Sequence, residues 1–239
     1  MSMKHLATAF LAKFDLHIER LSKHPKETLL GLSGENVRNV LDIGANTGQF
    51  ARVALDRFPR AKLWCFEPLP AAYKLLKGME RDSDGRMTAL NFALGARQGV
   101  VNMHFHSEHS PSSSLMPTTG MCEELFPQTR AQTSVPVEVR TLDGVCAEFP
   151  TPPFEDLVIK IDVQGYEAEV IAGGRRTIAA AKAVIVEISF DELYKGAPTF
   201  EDLSKLLGET GHRFAGAIEQ FTAGDGHVIF MDALFKKLG

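Results

Sequence analysis

The chain has 239 residues, 44% of them hydrophobic and 23% charged, and a formal net charge of -4. That length suits one α/β domain, a class that commonly reaches roughly 250 residues without dividing, and the negative balance without a basic run excludes a groove that tracks a polyanion, so no nucleic-acid partner is expected. Cys65, Cys122 and Cys146 are odd in number and form no CxxC pair, which argues against a disulfide framework or a zinc knuckle and points to a reducing cytoplasm.

The opening stretch "MSMKHLATAFLAKFDLHIERLSKHP" interleaves apolar and charged residues and lacks the unbroken apolar region of a signal peptide. Leu6, Phe10, Phe14, Ile18 and Leu21 fall three or four apart and predict one apolar helical face. Residues 1–36 are therefore expected to form a helical extension. It either packs on the main domain or serves as a dimer contact or substrate cover. No run elsewhere reaches the ~20 apolar residues of a membrane span.

From Val37 short apolar runs alternate with helical stretches, the pattern of a sheet wound with crossover helices. "VRNVLDIG" reads as a buried strand and "TGQFARVALDRFP" as its helix; "AKLWCFEP" and "LPAAYKLLKGME" repeat the unit, and "RMTALNFALG" reads as a third strand. Right-handed crossovers make such strands parallel. Between about residues 99 and 142 the pattern breaks into two strand-like runs around a Ser, Pro and Thr-rich segment without helical period. This predicts a β-rich insert with a long loop, and loops of that length are usually functional. "FEDLVIKIDVQGYEAEVIAGG" restores the winding, "AKAVIVEISF" adds a strand and "TFEDLSKLLGETG" a helix. The tail "HRFAGAIEQFTAGDGHVIFMDALF" reads as two strands joined at Gly224-Asp225-Gly226, a hairpin signal. The expected architecture is one domain over residues 37–239, with a mostly parallel seven-stranded sheet and an antiparallel C-terminal hairpin.

In "DIGANTG" the glycines Gly44 and Gly48 form GxxxG, which is neither the GxGxxG of dinucleotide binders nor, without a following Lys-Ser or Lys-Thr pair, a triphosphate cradle. What remains is a tight strand-to-helix turn at the carboxyl edge of the sheet, where α/β folds bind ligands. Asp42 beside that turn would repel a pyrophosphate and attract an ammonium or a sulfonium. Glu67, ending the second strand, can accept both hydroxyls of a ribose, and Asn91, ending the third, offers an amide to an adenine edge. A ribose together with cationic groups in place of phosphates describes S-adenosylmethionine.

With these residues in hand, the sequence resembles the FkbM family of S-adenosylmethionine-dependent methyltransferases, within the Rossmann-like class I fold. The resemblance runs in order through "VLDIGANTGQFA", "FEP", "NFALG", "SSSL", "VRTLDGV" and "IKIDVQGYEAEVIAGG", roughly Val37 to Phe190, and "KIDVQGYE" is its most specific piece. It implies O-methylation of a hydroxyl on a sugar, glycan or small-molecule natural product. It further implies that Asp42, Gly44, Asn46 and Gly48 line the methionine end, with Phe50 also on the cofactor side. Glu67 and Pro68 would meet the ribose, Asn91, Phe92 and Ala93 the adenine, and Asp162 would sit beside the transferred methyl.

Methyl transfer from a sulfonium is an in-line displacement, so alignment carries much of the rate, and a general base contributes on the order of 10²–10⁴. Asp162 and Glu187, each at the end of a buried strand, are the candidates for base or substrate anchor. Glu167 suits the first turn of a helix. His104 and His106 share a strand face, with Glu108 and His109 beyond them, but two histidines on a strand are more often solvent-facing than metal ligands, so no metal site is expected and a divalent ion has no specific support. Ser112, Ser113 and Ser114 could meet a polyhydroxylated substrate if their loop closes as a lid. A silent S-adenosylmethionine-binding partner or sensor is the alternative that intact cofactor motifs leave open.

Overall fold

The computed structural model describes residues 10–11, 13–14, 24–107 and 110–237. The expected N-terminal helix through Leu6, Ile18 and Leu21 lies outside the described residues, as do Glu108 and His109. Among the described residues, no helix is long and apolar enough to cross a membrane.

The main sheet has seven strands: β1 (Asn39–Ile43), β2 (Lys62–Phe66), β3 (Met87–Leu90), β7 (Leu157–Ile161), β8 (Ala183–Ser189), β9 (His212–Thr222) and β10 (Val228–Lys237). Their spatial order is β3-β2-β1-β7-β8-β10-β9. The first five run parallel, and β10 pairs antiparallel with both β8 and β9. The mixed sheet with a terminal hairpin is therefore as expected. The order reverses between β1 and β7, and the carboxyl edge at such a reversal is where open α/β sheets form a crevice.

Alternation along each strand divides the core between the two faces. Val40, Leu63, Val158, Ile185 and Leu234 point toward Ala51 and Ala54 of α2 (Gln49–Arg57) and Leu76 of α3 (Pro70–Arg81). Leu41, Ile159, Val184 and Phe235 point the other way, onto Leu142, Val170, Ile178 and Leu203. These four lie on α5 (Leu142–Glu148), α6 (Glu167–Gly173), α7 (Arg175–Ala180) and α8 (Phe200–Gly208). Continuous apolar runs such as "AVIV" of β8 are what a strand buried on both faces requires. On the first face, the short α1 (Pro25–Thr28) and the 3-10 turns of Leu29–Gly34 lie against β9.

The predicted third strand is in fact two. After β3 the chain turns at Asn91, whose amide donates to the carbonyls of Glu67 and Pro68 at 2.9 Å each. It then enters β4 (Ala93–Leu94), which belongs to a second sheet of order β4-β6-β5 with β5 (Gly99–His106) and β6 (Gln132–Arg140). The insert is β-rich, as expected. The segment between β5 and β6 also holds α4 (Gly120–Leu125), capped by Thr119, whose hydroxyl accepts from the Cys122 N–H. Likewise "RTLDGV" does not extend β6, because the Thr141 hydroxyl accepts from the Gly144 N–H and starts α5. Side-chain capping in both places overrides an apolar pattern too short to fix a period.

Candidate active site

Three of the parallel strands, β1, β7 and β8, carry a charged residue two positions beyond a core residue on the α2 face. Val40 leads to Asp42, Val158 to Lys160 and Ile185 to Glu187, while on antiparallel β10 Leu234 is two positions after Asp232. Register sets Asp42 opposite Lys160 and Glu187 opposite Asp232. The apolar face thus ends, strand after strand, in charge. Together with Asp162, Gln164, Glu67 and Tyr194 these groups line one cavity of about 590 Å³, a volume ordinary for a small-molecule site.

At the β1 end, Gly44, Asn46 and Gly48 take left-handed backbone angles of φ 82°, 45° and 84°. A Cβ on Gly44 would stand 1.8 Å from the Asp162 carbonyl oxygen, so the two strand ends close on each other only with glycine there. The Asn46 N–H donates to Glu67 Oε2 at 2.9 Å and the Leu69 N–H to Glu67 Oε1 at 2.8 Å. Glu67 is buried. That burial pushes its carboxyl up to about 7 despite the two amides. Asp42 is 1% exposed, and its Oδ2 has no hydrogen-bond partner among the described residues. Burial raises Asp42 to about 7, with the charge of Lys160 opposing the rise and Asp162 and Glu67 adding to it.

At the β7–β8 end, Lys160 Nζ donates to Asp162 Oδ2 at 2.9 Å and to Asp232 Oδ1 at 3.3 Å. Burial works against this ammonium, but Asp162, Asp232 and Glu187 outweigh it and keep the lysine charged. Gln164, itself in the left-handed region at φ 58°, donates both amide hydrogens, to Asp162 Oδ1 and Glu187 Oε1, each at 2.8 Å. Its Oε1 accepts from Tyr194 Oη at 2.6 Å. With donors and acceptor all engaged, this amide has one orientation. Burial, then the neighbouring Asp162 charge, raises Glu187 well above the usual carboxylate range. Glu167 does more than suit its helix, for Oε1 accepts from the Val163 and Gly165 N–H groups at 3.1 Å and closes the turn behind Asp162.

Of the residues singled out from the sequence, Asp42, Gly44, Asn46, Phe50, Glu67, Pro68, Ala93, Asp162 and Glu187 line the cavity. Gly48, Asn91 and Phe92 are outside its lining. Gly48 packs on Met79, with which an added Cβ would collide at 2.4 Å. Asn91 pins the β2 and β3 ends together, and Phe92 packs on Phe66 with ring centroids 5.8 Å apart. The lid serines are engaged as well: Ser114 Oγ donates to the Gln164 carbonyl at 2.5 Å, and Ser113 Oγ accepts from the His106 N–H at 3.1 Å. His106 is buried, and no described group of residues is arranged to hold a metal ion.

Lys160, Gln164, Tyr194 and Asp232 escaped the sequence reading. The available signal was a lysine and an acid interrupting two strands that are otherwise apolar, "LVIKI" and "IFMDALF".

Comparison with known proteins gives the family. The profile of the methyltransferase FkbM domain matches residues 42–214, from the first cavity acid into β9. The chain belongs to the FkbM methyltransferase family. It is 34% identical over 174 residues to the 2-O-methyltransferase NoeI of Sinorhizobium fredii, covering 70% of each protein. Over 172 residues it is 26% identical to the hexuronic acid methyltransferase AglP of Haloferax volcanii, covering 70% of this chain and 60% of that one. The methyltransferase FkbM of Methylobacillus flagellatus shares the fold, with a TM-score of 0.53 and 16% identity over 84% of this chain; the chain spans 44% of that structure. That structure shares the doubly wound sheet seen here, and the cavity of this chain sits at the sheet's carboxyl edge.

Proposed function

We propose that this protein transfers a methyl group from S-adenosylmethionine to a hydroxyl of a sugar or similarly hydroxylated small molecule. The observation that carries the reading is the buried Asp42 Oδ2, without a hydrogen-bond partner among the described residues, beside Glu67 in a cavity that also holds Asp162 and Glu187. A buried carboxylate oxygen without a partner is costly in the ligand-free protein, and a cationic ligand group offsets that cost. Glu67 fits a ribose, because each oxygen accepts one backbone N–H and retains a lone pair for a hydroxyl. When bound, S-adenosylmethionine supplies an activated methyl and a good leaving group.

The chain's own residues do the rest. Lys160 and Gln164 hold Asp162 from both carboxylate oxygens and so fix it as an anchor. Among the described residues Glu187 accepts one hydrogen bond, from Gln164, and its raised pKa makes its ionised form a strong base for a hydroxyl proton. Two carboxylates in contrasting environments are the usual means of dividing such roles. The 2-O-methyltransferase and hexuronic acid methyltransferase named among the relatives support an acceptor of the sugar class.

The test is calorimetric titration with S-adenosylmethionine and, separately, with NAD(H), followed by methyl transfer to hydroxylated acceptors with and without EDTA. Micromolar binding of S-adenosylmethionine alone, with transfer indifferent to EDTA, is expected. Binding of NAD(H) in its place, or tight binding that Glu67→Ala leaves unaltered, overturns the reading.

A further inference from the structure

The terminal hairpin forms the cavity wall farthest along the sheet from the Asp42 turn. In the β9–β10 register Phe221 is opposite Phe230 and Glu219 opposite Asp232, and across β10 Asp232 is opposite Glu187. Residues two apart on a strand share a face. An aromatic pair therefore adjoins an acidic row on one face, and all five side chains line the cavity. The two phenyl rings stack with centroids 4.3 Å apart and 21° between planes, while Phe221 remains 44% exposed. One ring backs the other, leaving a flat apolar platform beside carboxylates.

Charge adds a second constraint. Among the described residues the cavity is lined by three cationic side chains, Lys26, Arg57 and Lys160, and each is already bound to acid. Lys26 meets Glu219 at 2.6 Å, Arg57 meets Glu27, and Lys160 meets Asp162 and Asp232. An anionic ligand would find no unengaged cation and several carboxylates.

We propose that this hairpin is the acceptor subsite and that it takes an uncharged pyranoside ring, selecting against sugar acids and sugar phosphates. The inference rests on the reading of the cavity as a methyl-transfer site. The positive C–H edges along one face of a sugar ring suit the negative face of the Phe221 ring. Carboxylates of Asp232 and Glu219 accept ring hydroxyls in charge-assisted bonds. Repulsion of an anion by these acids is selection through an unfavourable contact, independent of any gain for the favoured ring.

The experiment is saturation-transfer NMR with methyl glucoside, galactoside and mannoside, and with methyl glucuronide as the anionic counterpart. S-adenosylhomocysteine is present and its binding is measured separately by calorimetry. At least one neutral pyranoside should receive saturation chiefly at ring C–H positions, with the glucuronide roughly 100-fold weaker. Phe221→Ala should weaken the neutral ring about 10-fold and Phe221→Tyr, which keeps the aromatic face, should restore it. Equal binding of the glucuronide, an unaltered Phe221→Ala, or no neutral pyranoside binding while S-adenosylhomocysteine binds, overturns the subsite. Pyranoside binding without any binding of S-adenosylhomocysteine sustains the subsite and overturns the methyl-transfer reading.

Discussion

Asp42→Asn separates what the cavity does for folding from what it does for a ligand. In the folded protein the Asp42 carboxyl is pushed from 3.8 up to about 7 by burial, partly relieved by Lys160. A raised carboxylate pKa means that folding favours the protonated form. Its stabilising effect is complete below about pH 4, where both folded and unfolded chains are protonated. It is lost as the pH rises through about 7. Each pKa unit is worth about 1.4 kcal/mol, so the interval from 3.8 to about 7 amounts to about 4 kcal/mol of lost stability above pH 8.

Asparagine keeps the shape of the protonated acid and cannot ionise. The variant should therefore match the wild type near pH 4 and exceed it by about 4 kcal/mol at pH 8, a rise of roughly 8–16 °C in Tm for a chain of this size. Thermal melts across pH 4–8 measure the gap, and the same melts with S-adenosylmethionine measure the other side. The ligand should raise the wild-type Tm at pH 8 and leave that of the variant nearly unaltered, because the carboxylate that answers its cationic group is gone. A variant less stable than wild type at pH 8, or a gap that does not grow with pH, would refute the claim that Asp42 is held at a cost to the fold.

Other substitutions probe the rest of the site. Glu187→Gln should lower kcat by about 10²–10⁴ with little effect on S-adenosylmethionine affinity; wild-type kcat/KM should climb with pH toward the raised Glu187 value, and the variant's profile should lose that limb. Glu167→Ala removes the acceptor of two backbone N–H groups and should cost about 2–4 kcal/mol in urea unfolding, with Glu167→Gln recovering part of it. Gly44→Ala forces a Cβ to 1.8 Å from the Asp162 carbonyl at φ 82° and should abolish soluble folded protein, as read by circular dichroism and gel filtration. Tyr194→Phe leaves the Gln164 side-chain Oε1 without its donor and should reduce kcat/KM about 10-fold while retaining the fold.

The sheet was legible because burial on both faces leaves runs such as "LVIKI" and "AVIVEI", and the hairpin because Gly224-Asp225-Gly226 turns the chain. The acids Asp42 and Glu67 were legible for a related reason: a glycine turn opens two residues after Asp42 and Pro68 follows Glu67, so both adjoin punctuation in the chain. Lys160 and Asp232 have no such punctuation. They lie inside strands, and only pairing fixes what they meet: Lys160 opposite Asp42, Asp232 opposite Glu187. Register between strands distant in sequence leaves no local pattern. Asn91 and Ser114 are alike in this respect, since the backbone carbonyls that their side chains serve lie on other segments and leave no trace beside them in the sequence.

The same logic explains why the string "KIDVQGYE" is the most specific piece of the sequence. Two of its polar members, Lys160 and Gln164, have partners in three other segments, and a third, Glu167, bonds within the string. Lys160 bridges Asp162 to β10, Gln164 joins Asp162 to β8 and to Tyr194, and Glu167 closes the turn on which Asp162 and Gln164 stand. Gly165 at φ 94° lies so near Tyr194 that a Cβ would stand 2.8 Å from the tyrosine Cβ. A change at one position therefore leaves a buried charge or amide elsewhere without its partner, which costs more than the bond removed. A segment under so many simultaneous demands admits few sequences. The motif's specificity is thus a property of the network that positions Asp162 and Glu187, and it extends to β10 residues that no stretch of neighbouring sequence would reveal.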